Sequence, residues 1–186
     1  MGEKNNDGGQ FFTPRQVIRA MVQVIDPQIG ETVYDPGSGT GGFLAQSYKH
    51  IKSGIQTAEE YTTLKEHTFY GREKENLIYP VALANLVLHG IDHPHLWHGN
   101  TLTGKETYGD LFAGAPELFD VVLTNPPFGG KEGQDAQTRF DYKTGSTQVL
   151  YLQHVIDSLK AGGRCGIVVD EVLLFRTNQP LWTESP

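Results

Sequence analysis

Residues 35–43 read Asp35-Pro36-Gly37-Ser38-Gly39-Thr40-Gly41-Gly42-Phe43, and few folds accommodate such a stretch. A short apolar run, Thr32-Val33-Tyr34, leads in, and Phe43-Leu44-Ala45-Gln46-Ser47-Tyr48 leads out with helix-like character. The pattern predicts a strand, a glycine turn and a helix start. Without a Cβ, glycine lets backbone N–H groups come close to a ligand. The helix N-terminus adds partial positive charge, and Asp35 sets a carboxylate beside the turn. A nucleotide-like ligand lying across the ends of parallel strands would use all of this. Three readings stay open on these residues alone: a plain loop in a chain that has 22 glycines; a dinucleotide site, since Gly37, Gly39 and Gly42 fit G-x-G-x-x-G; and a site for S-adenosylmethionine, which has no pyrophosphate.

Periodicity on either side of the turn points to an α/β fold. Val17, Ile18, Met21, Val22 and Ile25 predict an amphipathic helix over 14–25, with Thr13 as its N-cap and Pro14 as its first residue. Phe11 and Phe12 would staple its entry. Strands are expected at 32–35, 68–71, 95–99, 119–124 and 164–169, and helices at 43–52, 75–89 and 147–160. Residues 53–66 read as a loop with a short helix, 103–118 as a loop, and 129–146 as a mobile loop rich in glycine and charge. A chain of 186 residues suggests one domain with a real core. No apolar run approaches the ~20 residues of a membrane helix. The single cysteine cannot form an internal disulfide, which fits the cytoplasm. A net charge of −7 argues against this chain gripping a nucleic-acid backbone alone.

Asn125-Pro126-Pro127-Phe128 stands at the carboxyl end of the 119–124 strand, where ligands of a doubly wound sheet bind. Two prolines fix their own φ and restrain the preceding residues to extended geometry. The Asn125 carboxamide and the Pro126 carbonyl are then free acceptors, and Phe128 offers a flat face. That set suits methylation of an exocyclic amine on a base. Two acceptors holding the N–H bonds would aim the lone pair at a sulfonium methyl, with positioning doing most of the catalysis. An aromatic face would hold a base flipped from its duplex. Alone, the tetrapeptide is as readily a rigid turn; beside the glycine turn, coincidence becomes hard to sustain.

With both elements in view, the chain resembles the modification (methyltransferase) subunit of type I restriction–modification systems, an adenine-specific DNA methyltransferase, from about Gly9 to Arg176. Gln10-Phe11-Phe12-Thr13-Pro14-Arg15 is similar to the segment that lies over the methionine end of the cofactor. Asp35 to Phe43 is similar to the cofactor loop, and Asn125 to Phe128 to the catalytic motif. The resemblance implies that Glu73 bonds the ribose hydroxyls and that Asn100-Thr101-Leu102 lies beside the cofactor's adenine, with Asn100 where Asp is frequent. It implies S-adenosyl-L-methionine as cofactor, double-stranded DNA with a flipped adenine as substrate, specificity and restriction subunits as partners, and no membrane. It implies a Rossmann-like methyltransferase sheet, mostly parallel in the order 3-2-1-4-5 with helices on both faces, and then a 7-6 hairpin before which this sequence stops. Family members also carry a preceding helical domain, and Asp170-Glu171 stands where they have a proline turn. A catalytic core at 10–176 is therefore expected, with a linker-like 1–9, an irregular 177–186 tail and the hairpin missing. Methylation of an RNA base or a protein glutamine, or a truncated assembly module without catalysis, are the competing readings.

His89, His93, His95 and His98 cluster without the partner spacing of a metal site and read as a polar connection. Cys165 reads as a small apolar packing residue. Lys131, Arg139 and Lys143 could touch a phosphate backbone, but Glu132, Asp135 and Asp141 interleave with them.

Overall fold

The computed structural model describes residues 12–171 and 173; the 1–9 linker, Gln10, Phe11, residues 174–176 and the 177–186 tail lie outside the described residues. Six strands form one sheet: β1 (Val33–Asp35), β2 (Phe69–Glu73), β3 (His95–Asn100), β4 (Lys105–Tyr108), β5 (Phe119–Thr124) and β6 (Leu159–Ile167). Their order is β4-β3-β2-β1-β5-β6, and only the β3–β4 pair is antiparallel. Leaving out β4, this is the expected 3-2-1-4-5 arrangement.

The helices are α1 (Arg15–Ile25), α2 (Gly42–Lys52), α3 (Ala58–Glu66), α4 (Tyr79–His89), α5 (Gln134–Gln137) and α6 (Thr147–Asp157). Successive strand residues point to opposite faces, so each central strand feeds two cores. Val33, Phe69, Leu96, Val121 and Leu123 pack with Ile18, Val22, Leu44, Leu64 and Leu86, which come from α1 to α4. Tyr34, Tyr70, Phe119 and Val122 pack on the other side with Val155 of α6. Helices thus cover both faces, and β1 between them is wholly buried.

Three expectations change, and the short helix expected within 53–66 is present as α3. Residues 103–118 hold β4 and a 3-10 helix at Asp110–Phe112 rather than a loop. All four residues of β4 are exposed; pairing with β3 creates the strand, and the Trp97 indole N–H donates to Glu106 Oε2 at 2.7 Å. Within 53–66, α3 starts on a capping box in which the Thr57 hydroxyl accepts from the Glu60 N–H and the Glu60 carboxylate accepts from the Thr57 N–H. The 147–160 helix stops at Asp157, and Gly162 at φ 80° serves a bulge in β6 between the Phe119–Leu159 and Val121–Arg164 pairs. Finally, 129–146 is not a loose loop: Ala136 and Phe140 are buried with Leu102, Leu150 and Tyr151.

Arg164 ties α1 to the sheet. Its guanidinium donates to both carboxylate oxygens of Glu31, at 2.8 and 2.7 Å, and to the carbonyls of Ile25 and Asp26 at the end of α1.

Candidate active site

Asp35 ends β1, and Thr124 ends β5 beside it. Asp35 Oδ1 accepts from the Thr124 hydroxyl at 2.8 Å and from the Gly37 N–H at 3.1 Å. Burial pushes the Asp35 carboxyl up to about 7, and the negative charge of Glu73 adds to the effect. The glycine turn then folds over β2. The Ser38 N–H donates to the Arg72 carbonyl at 2.8 Å, and the Ser38 hydroxyl donates to the Asp35 carbonyl at 3.0 Å. A Cβ on Gly71 would stand 2.2 Å from Ser38 Oγ, so the turn can lie there only over glycine. Gly41, at φ 80°, is the N-cap of α2 and occupies backbone space that favours glycine. Asn85 of α4 holds the turn from outside, its Nδ2 donating to the Thr40 carbonyl at 2.7 Å.

Glu73 ends β2 and is engaged with the same turn. Its Oε2 accepts from the Gly39 N–H and its Oε1 from the Glu75 N–H, each at 2.8 Å, and burial raises its pKa. After β3, Asn100 Oδ1 accepts from the N–H groups of Leu102 and Thr103, at 2.9 and 3.1 Å. The amide oxygen expected to face an adenine amine is therefore committed to its own turn, which leaves Nδ2 as the donor. The buried Thr101 hydroxyl donates to the Pro36 carbonyl at 2.7 Å, joining this turn to the glycine turn.

Asn125 follows β5. Its Nδ2 donates to Thr13 Oγ1 at 2.8 Å, while its Oδ1 is buried with no hydrogen-bond partner among the described residues. Thr13 is thus not the helix cap that the sequence predicted. Pro14 takes that position, its carbonyl accepting from the Ile18 N–H at 3.1 Å, and the threonine hydroxyl is spent on a residue 112 positions away. Phe12 is 69% exposed and forms no staple. Pro126 is buried, whereas Pro127 and Phe128 are exposed, the phenylalanine by 40%.

Asp35 and Asn125 share one cleft. It is lined by Phe12, Thr13, Ile18, Asp35, Gly37, Ser38, Gly39, Thr40, Gly42, Phe43 and Asn125 and encloses about 120 Å³. Sites that surround a whole drug-sized ligand run to ~300–1,000 Å³, so this cleft has room for only part of such a molecule. Pro14, Arg15, Pro36, Gly41, Glu73, Asn100, Thr101 and Leu102 do not line it. Leu102 turns its side chain into the α5–α6 cluster, so only its backbone could meet a ligand. Thr124 and Asn85 are not singled out by the sequence, and Gly71 stands out only as the start of the Gly71-Arg72-Glu73 stretch, not for the space it leaves the glycine turn. A polar residue closing a buried apolar strand was the available signal for Thr124; Asn85 gave none.

The side residues resolve into packing and connection. His95 bridges the carbonyls of Glu66 and Leu111, and His98 stacks on Tyr79 with ring centroids 4.4 Å apart. Cys165 packs against the Tyr34 cluster, and burial lifts its thiol to about 11. Lys143 donates to the Phe140 and Thr138 carbonyls, and Arg139 to those of Thr101 and Leu102, so both are committed within the chain.

Residues 2–181 match the N-6 DNA methylase family. The chain belongs to that family. The type I restriction enzyme EcoEI methylase subunit of Escherichia coli is 40% identical over 173 residues, which are 91% of this chain and 34% of that protein. A solved chain from a type I restriction–modification complex is 44% identical, with a TM-score of 0.82, over 93% of this chain and 35% of that one. The crystal structure of the EcoKI M protein aligns with a TM-score of 0.77 at 31% identity, over 92% of this chain and 36% of its own. This N-6 DNA methylase chain spans about a third of the length of the relatives it matches, and no helix among its described residues is long and apolar enough to cross a membrane.

Proposed function

We propose that this chain is the catalytic core of a modification methyltransferase that methylates the exocyclic amine of adenine in double-stranded DNA, with S-adenosyl-L-methionine as cofactor. One observation carries the reading. Asn125 Oδ1 is a buried acceptor with no partner among the described residues, on a residue lining the same cleft as Asp35 and the glycine turn. A buried carbonyl oxygen left unpaired is destabilising, and a substrate N–H would satisfy it.

The residues fit a cofactor of this kind. The N–H groups at the start of α2, on Gly42 and Phe43, have no carbonyl partner within the helix and would hold a carboxylate. Asp35 would hold an ammonium group, and Glu73 retains acceptor capacity for hydroxyls. When bound, S-adenosylmethionine supplies an electrophilic methyl group on a sulfonium. Asn125 Oδ1 and the Pro126 carbonyl accept the two N–H bonds of the target amine, which turns its lone pair out of the ring plane. Thr13 fixes the other end of the Asn125 carboxamide. The exposed ring of Phe128 stacks on the flipped base, a contact worth ~1–3 kcal/mol. The amine nitrogen then gains a carbon and gives up one proton to water, so no strong base is needed.

In the cell this core would work in the cytoplasm as part of a type I system, with a specificity subunit reading the target sequence and a restriction subunit alongside. That arrangement accounts for a catalytic chain of net charge −7, because others would supply most of the phosphate contact. The test has two arms. Calorimetric titration of S-adenosylmethionine should show binding to wild type and much weaker binding to Asp35→Ala; equal binding would remove the cofactor assignment. Radiolabel transfer by the assembled complex should favour DNA over RNA or peptide and be lost in Asn125→Ala.

A further inference from the structure

The segment between Phe128 and α6 reaches the turn that follows β3. Arg139 Nη1 donates to the Leu102 carbonyl at 2.7 Å and to the Thr101 carbonyl at 3.2 Å. Thr101 in turn donates to the Pro36 carbonyl at the root of the glycine turn. Apolar packing follows the same path, since Ala136 and Phe140 flank Arg139 in sequence and bury Leu102. Gly104, at φ 69°, makes room for the guanidinium, which a Cβ there would approach to 2.9 Å. Asn100 thus holds the N–H side of the turn and Arg139 holds its carbonyl side.

Resting on the cofactor reading above, we propose that Arg139 is a positioning residue for S-adenosylmethionine. It acts through the Thr101 and Leu102 carbonyls, which it holds from the 129–146 segment. Charge-assisted donation to two carbonyls holds the turn in one geometry. Without it, the ligand must order the turn as it binds, and affinity falls by that amount.

The experiment titrates S-adenosylmethionine into the wild-type chain and into Arg139→Ala, Arg139→Lys, Thr101→Val and the Arg139→Ala/Thr101→Val double variant. Melting temperatures are recorded without cofactor. Losing the charge-assisted donation to both carbonyls predicts a roughly tenfold rise in Kd for Arg139→Ala, with partial rescue by Arg139→Lys. The double variant should be weakened by less than the product of the singles, since both act on one path. In methyl transfer by the assembled complex, KM for cofactor should rise more than kcat falls. If wild type binds and Arg139→Ala binds equally well, the inference is overturned while the functional reading stands; no binding by wild type removes the functional reading itself. A salt-sensitive rise in KM for DNA with cofactor Kd unchanged would make Arg139 a phosphate contact, and that also overturns it. Should Arg139→Ala melt too low to titrate, Arg139→Met keeps the aliphatic stem and decides the matter.

Discussion

Replacing Asp35 with asparagine should make the protein more stable and less able to bind its cofactor. The same oxygen, Oδ1, accepts from both Thr124 and Gly37, and an asparagine can keep both bonds. What changes is the buried charge. The fold lifts this carboxyl from 3.8 to about 7, so it disfavours the ionised form by about 4 kcal/mol, at about 1.4 kcal/mol for each tenfold step. Below pH 3.8 both folded and unfolded chains hold the proton, and the charge penalty that separates wild type from Asp35→Asn is absent. As pH rises from there to about 7, the unfolded chain ionises while the folded one does not, so wild-type stability falls across that window. Above it the full penalty applies. The expected advantage of Asp35→Asn is on the order of 4 kcal/mol at pH 8, falling below about 2 kcal/mol at pH 5. Urea melts at the two pH values measure it, with a matching rise in Tm of ~2–4 °C per kcal/mol. An advantage independent of pH, or an asparagine variant less stable than wild type at pH 8, would refute the reasoning. Calorimetry on the same variant should show weakened S-adenosylmethionine binding.

Gly71→Ala places a methyl 2.2 Å from Ser38 Oγ and 2.8 Å from Leu96 Cδ2. A loss of ~1–3 kcal/mol in urea unfolding and a raised cofactor Kd are expected together, because the glycine turn must lift. Leu123→Ala empties a fully buried site and should lower stability by ~2–5 kcal/mol in the same assay. The Cys165 thiol, held near 11, should react with a maleimide at pH 7.5 far more slowly in native protein than in urea; comparable rates would mean that β6 is open in solution. Arg164→Met removes donors to Glu31 and to the end of α1 and should cost ~1–3 kcal/mol in thermal melts.

Legibility in the sequence followed burial. The glycine turn, the buried run of β5 and the tetrapeptide after it are dictated by local chemistry, and all were readable. β4 was not, because Lys105-Glu106-Thr107-Tyr108 lies on an exposed edge and carries no alternation. The 129–146 segment misled because its glycines and charges outnumber Ala136 and Phe140, the two residues that anchor it. Thr13 had the ideal chemistry for a cap and the wrong neighbour: only folding reveals that Asn125 competes for its hydroxyl. Asn100 shows the same limit, since no spacing announces that an amide will serve its own backbone.

The bond between Thr13 and Asn125 makes the geometry of the candidate site a property of the finished sheet. A ribosome releases the glycine turn early, but the helix that follows Thr13 is anchored by Arg164, which lies in β6, the last strand of the described sheet. Until that strand emerges, the helix that follows Thr13 lacks this anchor. On the proposed function, a half-made chain would therefore methylate nothing until β6 has joined the sheet.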